Sequence, residues 1–142
     1  MQALHEVNLT VQFNATVDRL YAAWHKTELL QQWFAPGDMS VGQVMSSFTE
    51  GGKFRVVMQQ PDGEQHIVMG EYLEIVPDQK LLFSWQWLGE DKVTQVSLLF
   101  KALNGTTSEL NLQHSGFSDE HSVQMHQHGW IGCLEKLSVI TL

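Results

Sequence analysis

Between Asp119 and Leu142 the chain carries one long amphipathic period. Val123, Trp130, Cys133, Leu134, Leu137 and Ile140 recur at the i, i+3, i+4, i+7 spacing that gathers side chains on one face of a helix. A helix of that length with a single apolar face needs a concave partner, and the residues before it are written almost entirely in short alternating segments. From Ala3 to Phe13, His5, Val7, Leu9, Val11 and Phe13 alternate with Glu6, Asn8, Thr10 and Gln12, the period of a half-buried strand. Thr16 offers an N-cap oxygen to a short helix through Val17, Leu20, Tyr21 and Trp24. A second short helix opens at Thr27, turns Leu30, Trp33 and Phe34 inward, and stops before Pro36-Gly37.

Six further strands are expected, over Met39–Thr49, Lys53–Gln60, Gln65–Val76, Lys80–Leu88, Lys92–Leu103 and Thr107–Ser115. Their separators, such as Gly51-Gly52, Pro61-Asp62-Gly63, Pro77-Asp78 and Asn104-Gly105, carry the chemistry of tight connections. The expected class is therefore α+β, a curved seven-stranded antiparallel sheet around a long C-terminal helix, with two short helices after the first strand. Ser118-Asp119-Glu120 reads as the cap of that last helix. At 142 residues the whole length, 1–142, is expected to form a single domain.

Sixteen acidic against eight basic side chains give a formal charge of −8, which repels phosphate backbones and turns the expectation away from nucleic acid. No run approaches the roughly 20 apolar residues of a membrane span. Cys133 is the one cysteine and has no internal disulfide partner, and the N-terminus lacks an export pattern, so a cytoplasmic location is expected. Cys133 itself reads as a small core hydrophobe rather than a nucleophile.

The strand period places Phe54, Val56 and Met58 on one face, as it does Phe83, Trp85 and Trp87, and Leu110, Leu112 and His114. Five tryptophans and six methionines are available to such an interior. These residues suit either a plain core or a soft, aromatic pocket. The pocket candidates are Trp33, Phe54, Met58, Met69, Trp85, Trp87, His114, His126 and Trp130. His114 lies at the strand's exit toward the last helix, and His126, one turn before Trp130, is oriented to face it. Each histidine reads either as a hydrogen-bonded core group or as a pocket group.

His126 and His128 project roughly 200° apart around a helix, and His121 and His128 sit about 10 Å apart, so neither pair shares one metal. No metal or cofactor is expected. Carboxylates are scattered rather than paired, and there is no nucleophile elbow, P-loop or dinucleotide fingerprint, so no catalytic residues are assigned.

Several strings then occur together in order. They include Thr16-Val17-Asp18-Arg19-Leu20-Tyr21-Ala22-Ala23-Trp24, Gly51-Gly52-Lys53-Phe54, Gly70-Glu71-Tyr72-Leu73-Glu74-Ile75-Val76-Pro77, Leu82-Phe83-Ser84-Trp85, Leu112-Gln113-His114-Ser115-Gly116-Phe117 and Gly129-Trp130. Over nearly the whole chain they resemble the SRPBCC superfamily, and within it the group named after the activator of the heat-shock protein 90 ATPase. The resemblance implies a helix-grip fold, like the START and birch-pollen-allergen domains, whose sheet encloses a hydrophobic cavity. It also implies a range of roles, from lipid or polyketide binding through cyclase-type catalysis to co-chaperone action, and fold does not choose among them. The separate N-terminal domain of the eukaryotic co-chaperone has no counterpart in this stretch. The expected function is binding of a small hydrophobic or aromatic molecule between the last helix and the sheet. A chaperone-accessory interaction domain is the alternative, followed by a cyclase or hydrolase using His114.

Overall fold

The computed structural model describes residues 5–140 and 142. Strand β1 (Val7–Phe13) leads into helices α1 (Val17–Ala22) and α2 (Thr27–Trp33). Strands β2 (Ser40–Ser46), β3 (Lys53–Gln59), β4 (Gln65–Val76), β5 (Lys80–Trp87), β6 (Thr94–Ala102) and β7 (Ser108–Ser115) follow, and helix α3 (Glu120–Val139) closes the series. The sheet has the order β1-β7-β6-β5-β4-β3-β2, antiparallel throughout. This is the helix-grip class read from the sequence.

Hairpins join β2 through β7 in succession, so the two helices between β1 and β2 carry the chain from one edge to the other. Register shifts between Val41 and Val44 and between Tyr72 and Glu74 mark the irregularities that let such a sheet bend. The inner face carries Phe54, Val56 and Met58, then Val68, Gly70 and Tyr72, then Phe83, Trp85 and Trp87, as the pairing register requires. At Gly70 no other residue fits, because a Cβ there would stand 1.9 Å from the Ser84 carbonyl oxygen and 2.6 Å from the Phe54 ring. The Phe54 ring therefore sits against the bare backbone of the neighbouring strand.

The apolar stripe of α3 is buried at Val123, Trp130, Cys133, Leu134 and Leu137, with Ile140 partly buried at its C-cap. Asp119 caps the helix, its carboxylate accepting from the Ser122 N–H at 2.7 Å. Thr16 differs from expectation. It occupies the N-cap position of α1, but its hydroxyl is buried without a partner, and its carbonyl instead accepts from Leu20 N–H at 3.0 Å.

Strand ends also shift. β2 stops at Ser46 rather than Thr49, because Thr49 and Gly52 N–H groups turn back onto the Ser47 and Thr49 carbonyls. β1 begins at Val7; Ala3 and Leu4, placed in that strand by the alternation, lie outside the described residues, as does Thr141 in the last helix. Among the described residues, no helix is long and apolar enough to cross a membrane.

Candidate binding site between the last helix and the sheet

The five tryptophans form one continuous column. Ring centroids lie 4.6 Å apart for Trp33 and Trp24, 5.8 Å for Trp24 and Trp130, 5.1 Å for Trp130 and Trp85, and 5.5 Å for Trp85 and Trp87. Most of these pairs meet edge-on or tilted, the geometry the ring quadrupole favours. The column starts deep in the core and ends at a cleft.

That cleft has a volume of ≈ 490 Å³ and opens at one end of the helix–sheet layer. Its floor is Met58, Trp85 and Trp87; its roof is Met125, His126, Gly129, Trp130 and Cys133 of α3. One wall comes from the α2–β2 connection through Phe34, Pro36 and Met39. This connection is seated by two features of α3. Gly132 brings the backbone of the helix against the loop, since a Cβ there would meet Pro36 Cβ at 3.0 Å, and the Lys136 ammonium donates to the carbonyls of Ala35 and of Met39, the latter at 2.8 Å. The outer rim is polar, with Gln60, Gln65, His66 and Glu90. Gln60 Nε2–H donates to His66 Nε2 at 2.9 Å.

Two histidines hold the back of the cleft. Trp130 Nε1–H donates to His114 Nδ1 at 3.0 Å, so the ring proton sits on Nε2 and is donated to Thr94 Oγ1 at 2.7 Å. His126 has the opposite tautomer. Its Nδ1–H donates to the Ser122 carbonyl at 2.8 Å, and its Nε2 accepts from Trp87 Nε1–H at 3.0 Å. Their rings lie 5.2 Å apart and Phe117 packs on both, at 4.5 and 4.7 Å.

Burial, with a smaller contribution from His126, pushes the His114 imidazolium form out, bringing its pKa down to about 2. Burial also lowers His126, against the opposing pull of the Ser122 carbonyl and of Glu90. Both rings are neutral, and both nitrogens of each are engaged. Burial raises the Cys133 thiol to about 12, so no thiolate faces the cleft. Behind the floor, the Trp85 indole N–H is buried and has no acceptor among the described residues.

The structure brings together Met58, Trp85, Trp87, His126 and Trp130 at the cleft. His114 stands one layer behind it, fully buried and bonded to Trp130, rather than at a mouth. Trp33 belongs to the deep end of the column, where its Nε1–H donates to the Ala23 carbonyl at 3.0 Å. Phe54 packs against Tyr72 and Phe83 at 5.5 and 5.4 Å, beside a residual space of only ≈ 20 Å³. Met69 lies on the opposite face of the sheet, paired with Arg55 and Gln86, because its neighbours Val68 and Gly70 take the inward phase.

Gly129, Pro36 and Met39 were not candidates from sequence, nor were His66 and Gln60. Alternation in β3 extended to Gln60, and the Gly129 and Gly132 pair on a helix, were the signals available.

The fold and part of the sequence are shared with known proteins. A Chromobacterium violaceum protein of known crystal structure superposes with a TM-score of 0.87 at 20% identity, covering 95% of this chain and 96% of that one. The AHSA1 protein of Silicibacter pomeroyi gives 0.84 at 25% identity, with 94% of each chain covered. In sequence, the mouse activator of 90 kDa heat shock protein ATPase homolog 2 is 33% identical over 117 residues, 80% of this chain and 30% of the mouse protein. The chain thus spans about a third of that relative's length. A family model covers residues 14–141, nearly the whole chain. The chain belongs to the family of activator of Hsp90 ATPase homolog 1-like proteins, within the START-like helix-grip superfamily.

Proposed function

We propose that this chain is a binding domain for a small hydrophobic or aromatic molecule, seated in the cleft between α3 and the sheet. The single observation that carries this is the contrast of an open ≈ 490 Å³ space with walls of Trp85, Trp87, Trp130 and Met58. A space of that size falls within the usual range for small-molecule sites, and such sites are largely apolar with a few fixed polar groups. Here the polar groups are Gln60, Gln65 and His66 at the rim. Burying about 300 Å² of apolar ligand surface at roughly 25 cal/mol/Å² is worth on the order of 7 kcal/mol before ordering costs, enough for micromolar-scale affinity in a preformed site. Cys133, buried as a thiol, suits a reducing compartment, in keeping with cytoplasmic residence.

Tryptophan fluorescence titrated with flavonoid, aromatic polyketide and lipid panels tests this role. Saturable quenching at micromolar concentrations is expected for at least one class. Gly129→Leu supplies the blocking control: a Cβ at Gly129 meets only Pro36 Cγ, at 3.9 Å, so a side chain there fills the roof without disturbing the helix. Binding should vanish while the melting temperature holds. No saturable change across the panels would overturn the role.

A second role is favoured by the match to the mouse chaperone ATPase activator homolog. Here the acidic surface would dock on a chaperone, and recovery of a heat-shock ATPase in a salt-sensitive pull-down would support it. The third, catalysis by His114, draws least support, because both of its nitrogens are occupied behind the cleft wall. Turnover of any substrate that is lost in His114→Gln with the fold intact would revive it.

A further inference from the structure

The charges around the cleft are one-sided. Of the described residues that line it, Glu90 is the one with a formal charge, and none is a lysine or an arginine. Glu90 is fixed at the rim beside Trp87: its N–H donates to the Trp87 carbonyl at 3.1 Å, and its own carbonyl accepts from Gln86 Nε2–H at 2.9 Å. The backbone is thus tied into a turn while the exposed carboxylate makes no ion pair among the described residues. Lys136, whose charge reaches Cys133, is occupied by the Ala35 and Met39 carbonyls. His126 and His114 present neutral rings, and His126 Nε2 is taken by Trp87.

The walls reinforce this sign. Indole faces carry negative quadrupole density and attract a cation placed within about 6 Å of the ring, and Trp87, perpendicular to the buried Trp85 at 89°, borders the cleft with a partly exposed ring. Thioethers of Met58 and Met125 add polarisable surface. The opening leaves part of the space wet, so a bound cation keeps some hydration rather than losing all of it. A carboxylate, sulfate or phosphate would meet the same walls with no lysine or arginine among the described lining residues and with Glu90 opposing it, on a chain of net charge −8.

We infer that the cleft selects a planar aromatic ligand carrying a positive charge, with Glu90 and the partly exposed ring of Trp87 as the selectivity determinants and anions disfavoured. This rests on the binding role proposed above and adds the charge class of the ligand.

Three probes that share one naphthalene ring separate the two ideas: 1-methylnaphthalene, trimethyl(1-naphthyl)ammonium and 1-naphthalenesulfonate, each titrated against the intact chain by tryptophan quenching. The ammonium probe is expected to bind at least tenfold more tightly than the sulfonate, with the neutral probe between them. Glu90→Gln should reduce that ratio several-fold, whereas Glu109→Gln, at the far end of β7, should leave the ratio intact. Neutral binding with a ratio below tenfold, or a ratio indifferent to Glu90→Gln, overturns the charge selection alone. Failure of all three probes to bind overturns the binding role and the selection with it.

Discussion

The two ends of the helix–sheet layer are built from the same kinds of residue and reach opposite outcomes. At the deep end Trp24, Trp33, Phe34, Phe54, Tyr72 and Phe83 interlock and leave ≈ 20 Å³, about the room of one water molecule. At the other end Trp85, Trp87 and Trp130 border ≈ 490 Å³. A tether alone does not make the difference, since Trp33 at the packed end also donates its indole N–H, to the Ala23 carbonyl; what differs is where the held rings stand. Trp87 and Trp130 are each tethered by an indole N–H to a histidine, His126 and His114, while the docked Pro36 loop props the far wall. Tethered rings cannot fall into the space beside them, so aromatic richness alone does not decide whether an interior fills.

The largest effect should come from breaking the packed end. Trp33→Ala removes a fully buried indole and its bond to Ala23, and about 3–5 kcal/mol of stability should be lost in urea unfolding. A loss below 1 kcal/mol would mean that end is not the anchor. Acid should act next, through His114. Its folded pKa of about 2 lies below the ordinary 6.5, so the unfolded chain takes up the proton first, and stability present above pH 6.5 is lost as pH falls toward 2. One such group contributes at most about 1.4 kcal/mol per pH unit. His114→Gln, which can still accept and donate, should show a slope shallower by that amount between pH 6 and 4.

At the open end, Trp87→Phe should cost about 1 kcal/mol in stability but lower ligand affinity roughly tenfold, since the tether to His126 goes while the ring's bulk largely stays. Calorimetry on the free and liganded variant would measure both. The smallest effect belongs to Met69→Ala on the outer face: a stability change under about 1 kcal/mol and an unchanged dissociation constant. A marked loss of affinity there would contradict the assignment of the site to the inner face.

Much of this was legible from the residues. Period-two alternation placed Phe54, Met58, Trp85, Trp87 and His114 on the inner face, and the α3 stripe was readable because a helix face repeats at fixed spacing. What alternation does not encode is where along a face the space lies. Phe54 and Met58 share one strand and one face, yet the first is packed over Gly70 and the second borders the cleft. Met69 was misplaced for a simpler reason: β4 is apolar on successive residues, so its phase is fixed only by pairing with β3. The histidine tautomers depended on tryptophans 16 and 39 positions away along the chain, a relation no local pattern carries.

The tryptophan column has an optical consequence. With neighbouring rings 4.6 to 5.8 Å apart, the five indole transition dipoles couple, and excitation absorbed anywhere along the line migrates among them. A molecule touching only Trp87 at the mouth therefore dims the emission of chromophores buried beneath it, and the chain reports its own occupancy with no label attached.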